Sequence, residues 1–140
     1  MRFLTEVRGN LFNSRDPLVH CVSSDFRMGK GVAWHFKRKF GGVLELRNSG
    51  TRVGEVAVLR RGGRNIYYLV TKYRFFNKPT YEDLRRTLVS LKNHAISKNI
   101  KSLSMPRLGC GLDGLKWGVV KEMISEVFCD ERIQISVYYL

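Results

Sequence analysis

An α/β domain built on a mixed central sheet is what this sequence predicts, and three observations predict it. The run Leu103 to Met105 reads as a buried strand, followed by a loop holding Gly109, Gly111 and Gly114 and then by a helical pattern from Trp117. The run Leu18 to Val22, apolar and partly β-branched, is likewise followed by a polar loop, Ser23 to Gly31, and a helical pattern. Strand-loop-helix joints of this kind occur at the edge of α/β sheets where phosphorylated ligands bind, because glycine allows positive φ and lets backbone N–H groups approach an anion closely. Third, Glu55 to Arg60 and Arg64 to Thr71 are β-rich runs joined by Arg61-Gly62-Gly63, a strong hairpin signal that adds an antiparallel pair to the sheet. At 140 residues the chain has the size of a single domain, 1–140, with enough length to bury a core.

In chain order, Phe3 to Arg8 alternates apolar and polar residues and stops at Gly9-Asn10, which predicts a strand and a loop. Asp16-Pro17 opens the strand over Leu18 to Val22, whose apolar run suits burial on both faces. Val32, Phe36 and Phe40 recur at helical spacing, Gly41-Gly42 ends that helix, and Val43 to Arg47 forms a shorter one. After the hairpin, Lys72 stands at the end of the second strand, before the basic and aromatic segment Tyr73 to Lys78. Thr80 is the expected N-cap of the next helix, with Asp83 as its capping-box partner. That helix has an apolar stripe of Tyr81, Leu84, Leu88, Leu91 and Ala95. Trp117 to Phe128 predicts a last amphipathic helix and Arg132 to Tyr139 a last strand, in which Ile133, Ile135, Val137 and Tyr139 alternate with polar or aromatic residues.

Lys and Arg number 25 against 12 Asp and Glu, a formal charge of +13 that favours polyanionic partners such as nucleic acid. Three cysteines, Cys21, Cys110 and Cys129, with no CxxC, suggest neither a disulfide framework nor a zinc cluster and fit a reducing compartment. No apolar run approaches a signal h-region or a membrane span, so an intracellular, nuclear or cytosolic protein with no membrane partner is expected.

The chemistry-bearing residues narrow the function. Gly29-Lys30 lacks the upstream glycine and the following Ser or Thr of a P-loop, which excludes that nucleotide triphosphatase pattern. A Cys-His hydrolase would need Cys110 with His20, His35 or His94, of which only His20 falls near a strand end, and a small buried cysteine is the favoured reading of Cys110. Only Asp25 and Asp113 among the acids lie in the glycine-containing loops, and Lys72 alone among the lysines sits on a strand end facing the same edge. On spacing alone a solvated side chain is the favoured reading of Lys72, since a perturbed lysine needs burial or a charge partner.

Taken together, Gly9-Asn10-Leu11-Phe12, His20-Cys21-Val22-Ser23, Arg27-Met28-Gly29-Lys30-Gly31, Thr71-Lys72, Lys78-Pro79-Thr80-Tyr81 and Met105 to Asp113 resemble a macrodomain. The resemblance is to the terminal ADP-ribose protein glycohydrolase type, also called O-acetyl-ADP-ribose deacetylase, and runs from Arg8 to Leu140. It implies a three-layer α/β/α fold that binds ADP-ribose at the strand ends, with Lys72 as nucleophile and Asp113 as catalytic acid. It implies substrate contacts from Ser23, Ser24, Asp25, Phe26, Arg27, Met28 and Gly29 in the first loop. In the second it implies Arg107, Leu108, Gly109, Cys110, Gly111 and Leu112, with Leu11 beside the adenine and Leu140 also touching the ligand. Asn10 replaces an aspartate that in many macrodomains accepts from the adenine amino group; its amide oxygen still accepts, without the charge. The implied activity is removal of terminal ADP-ribose from glutamate or aspartate side chains of proteins, and deacetylation of O-acetyl-ADP-ribose, by a monomer that needs no metal or cofactor. The alternative is a non-catalytic reader of ADP-ribose or poly(ADP-ribose), and the basic surface adds nucleic acid as a further partner.

Overall fold

In the computed structural model, which describes residues 3–140, the hairpin is formed by β3 (Val56–Arg61) and β4 (Arg64–Lys72). Its two-residue turn, Gly62-Gly63, has φ of 60° and 78°. Positive φ at both central positions is the turn whose twist matches that of the flanking strands, and glycine adopts it without steric cost. The other strands are β1 (Leu4–Arg8), β2 (Leu18–Ser23), β5 (Ser102–Pro106) and β6 (Gln134–Tyr139). The helices are α1 (Gly31–Phe40), α2 (Val43–Asn48), α3 (Tyr81–Ser97) and α4 (Trp117–Phe128), with a 3-10 turn at Leu11–Asn13.

All six strands form one sheet in the order β1-β6-β5-β2-β4-β3. The β3–β4 pair is antiparallel and every other pair is parallel. The sheet is therefore mixed, as the hairpin predicts. Along β4 the period-2 alternation sends Tyr67 and Leu69 into a core shared with α3 and α4, and Ile66, Tyr68 and Val70 into a core shared with α1 and α2. Both faces are covered, so the fold has three layers, α/β/α.

The apolar stripe of α3 is buried as predicted: Leu84, Leu88, Leu91 and Ala95 are wholly inaccessible. Thr80 caps it, its Oγ1 accepting from the Asp83 amide at 3.0 Å. The reciprocal half of the capping box is absent among the described residues, because the Asp83 carboxylate pairs with Arg86 Nη1 at 3.2 Å. On α1 only Phe36 of the expected triad is fully buried, while Val32 is 40 % exposed. Its first turn, which the Ser23 to Gly31 loop joins, stays largely exposed.

The parallel strands β1, β6, β5, β2 and β4 all end on one edge, so Arg8, Tyr139, Pro106, Ser23 and Lys72 open onto the same side. From β5 the chain proceeds through α4 to β6 on one side, whereas from β2 it proceeds through α1, α2 and β3 to β4 on the other. The β2/β5 boundary is thus a topological switch point, where the two outgoing loops separate and leave a crevice. Those loops are the two glycine-containing segments singled out above.

Candidate active site

Lys72 and Asp113 meet in that crevice: Lys72 Nζ donates to Asp113 Oδ1 at 2.6 Å, with side chains 13 % and 19 % exposed. Lys72 is the last residue of β4, and its carbonyl accepts from the Ser24 amide at 2.9 Å, so the first loop is fastened to the strand that carries it. The β2–β4 register shifts between Val22 and Ser23, placing Ser23 opposite Lys72. Irregularity at a strand end beside a reactive group re-aims the chain out of the sheet.

The first loop is organised around Asp25. Its carboxylate accepts from the Ser23 hydroxyl, from the Arg27 amide at 3.1 Å and from the Phe75 amide at 3.0 Å. Burial works to raise its pKa, but the Ser23 hydroxyl and the two amides outweigh that and hold the carboxyl below its ordinary value. Asp25 therefore stays ionised and committed to loop structure. Phe26 and Met28 take left-handed backbone, φ 49° and 50°, which non-glycine residues adopt at a cost that the surroundings must offset. The offset is burial: both side chains enter the α1/α2 core, at 1 % and 4 % exposure. Neither side chain, then, is available to a ligand in the crevice.

In the second loop Gly109 has φ +70°, and a Cβ there would lie 2.7 Å from Leu115 Cδ1, so glycine is required by the fold. Gly111 differs: its φ is ordinary and a Cβ would meet nothing within 4 Å. The loops touch at Gly31 and Leu112, where a Cβ on Gly31 would approach Leu112 Cδ1 to 3.3 Å. Lys78 Nζ ties the second loop further, donating to the Leu112 carbonyl at 3.1 Å.

The remaining candidates are distributed unevenly. Leu108 and Leu11 are core residues, whereas Leu112 and Leu140 are exposed. Arg107 is drawn into a cluster around Glu6, which accepts from Arg107 at 3.3 Å, Trp117 Nε1 at 2.9 Å and Lys121 at 2.8 Å. Lys121 first, then Trp117, hold the Glu6 carboxyl below its ordinary pKa. That cluster escapes sequence reasoning because Glu6 lies 101 and 111 residues from Arg107 and Trp117. Asn10 engages its amide oxygen with the Phe12 amide at 2.9 Å, capping the 3-10 turn. Asn10, Phe12, His35, Arg38 and Lys39 line an open cleft of about 350 Å³ that neither Lys72 nor Asp113 borders.

Cysteine chemistry is disfavoured. Burial pushes the Cys21 thiol pKa up, with the Asp113 charge adding to it, and burial also raises that of Cys110, whose Sγ donates to the Leu108 carbonyl at 3.3 Å. Both remain thiols at neutral pH, and the thiolate is the nucleophilic form. His20 does not stand at a strand end but inside β2, 1 % exposed and stacked on Phe36 with ring centroids 3.7 Å apart. Among the described residues neither of its ring nitrogens nor the Tyr68 hydroxyl beside it has a hydrogen-bond partner. Burial lowers the His20 pKa to about 3, the Cys21 backbone opposing it only weakly.

This histidine predicts an acid response. Between its unfolded pKa of 6.5 and its folded value of about 3, the unfolded chain binds a proton that the native protein refuses. Stability is therefore complete above pH 6.5 and falls as pH drops, by about 1.4 kcal/mol per pH unit. Urea unfolding at pH 6.5 and 5 should differ by about 2 kcal/mol, in a window above the titration of most carboxylates. His20→Phe should flatten that slope; an undiminished slope in the variant would assign it to another group.

The Macro domain family model matches residues 19–124. ADP-ribose glycohydrolase OARD1 of Bos taurus is 54 % identical over 139 residues, spanning 98 % of this chain and 91 % of that protein. The protein of the same name from Homo sapiens is 53 % identical over the same spans. Among solved structures, the macrodomain of Thermus aquaticus DarG superposes with a TM-score of 0.89 at 30 % identity, covering 98 % of each chain.

Proposed function

This chain belongs to the macro domain family, and from that premise we propose that it is an ADP-ribose glycohydrolase acting on esters of ADP-ribose. Its substrates on this reading are ADP-ribose attached to glutamate or aspartate side chains of proteins, and O-acetyl-ADP-ribose. The observation that carries the reading is the 2.6 Å contact between Lys72 Nζ and Asp113 Oδ1, between two loops at the switch point of the sheet. A nucleophile and a base within hydrogen-bonding reach are the minimal apparatus for covalent catalysis.

In the first step Asp113 takes a proton from Lys72, and the neutral amine attacks the anomeric carbon of the distal ribose. At the anomeric carbon, a C–N bond forms as the C–O bond to the protein carboxylate breaks, and the carboxylate leaves with its electron pair and takes the proton from Asp113, which returns to its ionised form. In the second step Asp113 draws a proton from water, whose oxygen attacks the same carbon. The C–N bond then breaks, the proton returns to the lysine nitrogen, and ADP-ribose departs. The diphosphate would be held by backbone N–H groups of the loop around Gly109 and Gly111, which is open at Gly111.

Single-turnover incubation with a glutamate-modified protein tests the reading. Release of free ADP-ribose is the expected result. Tight binding of ADP-ribose without release would make the chain a reader instead, and neither binding nor release would overturn the assignment of the crevice.

A further inference from the structure

Next to the crevice, the segment Tyr73 to Lys78 presents three large rings to solvent: Tyr73 is 63 %, Phe75 47 % and Phe76 69 % exposed. Burial would normally claim such side chains, and a contiguous group of them marks an interaction surface. The segment is fastened to its surroundings. Ser24 Oγ donates to the Tyr73 carbonyl at 2.6 Å, Asp25 holds the Phe75 amide, and Lys78 reaches the Leu112 carbonyl. The rings thus stand on a backbone tied to both loops of the site.

We propose that this rim is a stacking platform for single-stranded nucleic acid, bound beside the Lys72 crevice. The Arg27 guanidinium lies over the Phe75 ring at 4.5 Å and that of Arg74 over the Tyr73 ring at 4.7 Å. An exposed ring with a cation at its face suits a nucleotide, whose base stacks on the aromatic surface while its phosphate meets the guanidinium. The two carboxylates closest in the chain contacts of this rim are already committed, Asp25 to hydrogen bonds within the loop and Asp113 to Lys72. Among the described residues neither carboxylate forms an ion pair with Arg27 or Arg74, on a chain of formal charge +13. An acidic peptide would match the charge but leave the rings unused. A membrane surface would leave the guanidinium-covered ring faces unused. The α1 surface is a second basic region, with Arg38 over Trp34 at 5.0 Å and Lys39 over Phe12 at 5.5 Å. It offers fewer exposed rings, which makes it the natural control.

The test is fluorescence anisotropy with a short labelled oligothymidylate, and it requires no turnover. Tyr73→Ser/Phe75→Ser/Phe76→Ser should weaken binding at least about tenfold, with its salt slope preserved. Arg74→Gln should lower the salt slope by about 1. Retained ADP-ribose binding by the triple variant shows that it is folded; if it does not fold, Tyr73→Ser and Phe76→Ser singly should each weaken the oligonucleotide and leave ADP-ribose affinity intact. Unchanged oligonucleotide affinity in these folded variants, or loss instead on Arg38→Gln/Lys39→Gln, would overturn the proposal. Tighter binding to polyglutamate or to phosphatidylserine vesicles than to oligothymidylate would overturn it equally.

Discussion

Lys72→Ala should keep ADP-ribose binding and lose turnover by about 10²–10⁴-fold or more, because the substitution leaves both loops in place and removes the atom that forms the adduct. The truncation also leaves Asp113, 19 % exposed, without its 2.6 Å partner, so some loss of thermal stability accompanies it. Lys72→Gln separates the two effects. Its amide can still donate to Asp113 but cannot act as the nucleophile, so stability should recover while activity stays lost. Asp113→Ala has a different signature. If the aspartate chiefly resolves the adduct, the second step slows more than the first, and a protein species heavier by one ADP-ribosyl unit accumulates in intact mass spectra. That species should vanish when Lys72 is also replaced. Full activity of Lys72→Ala would exclude the lysine mechanism and leave Asp113 activating water directly.

Gly111→Glu should abolish ADP-ribose binding in a protein that still folds. A Cβ at Gly111 meets nothing within 4 Å, so the side chain is accommodated by the fold and projects into open space at the loop, where it would exclude a diphosphate by volume and by charge. Juxtaposed like charges cost several kcal/mol, which corresponds to a weakening on the order of 100-fold or more. Titration calorimetry with ADP-ribose reads this directly. Gly109→Ala is the contrasting variant: there the φ of +70° and the 2.7 Å approach to Leu115 make the substitution a folding defect, seen as a lowered melting temperature. Equal ADP-ribose affinity in wild type and folded Gly111→Glu would remove the diphosphate from this loop.

The order and type of the elements were written locally in the chain. The two-residue glycine turn, the Thr80 cap, the 3-4 stripe of α3 and the alternation of β6 each depend on residues within a few positions of one another, so their physics is present before the chain folds. The glycine-containing loops were legible for the same reason, and the motif resemblance pointed to Lys72 and Asp113. Residue chemistry alone left those two as a strand-end lysine and a loop acid. Their pairing across 41 residues exists only because parallel crossovers bring the ends of β4 and β5 to one edge of the sheet. Asp16, which accepts from Ser102 and Ser104 across 86 and 88 residues, is another product of that topology. Competition between partners decided the rest. Asp83 turned to Arg86 instead of completing a capping box, and Asn10 gave its oxygen to the Phe12 amide. Phe26 and Met28 sent their side chains into the core instead of the crevice. A polar group's final partner depends on which competitors the assembled fold brings within about 3 Å, and that distance has no counterpart in the linear chain.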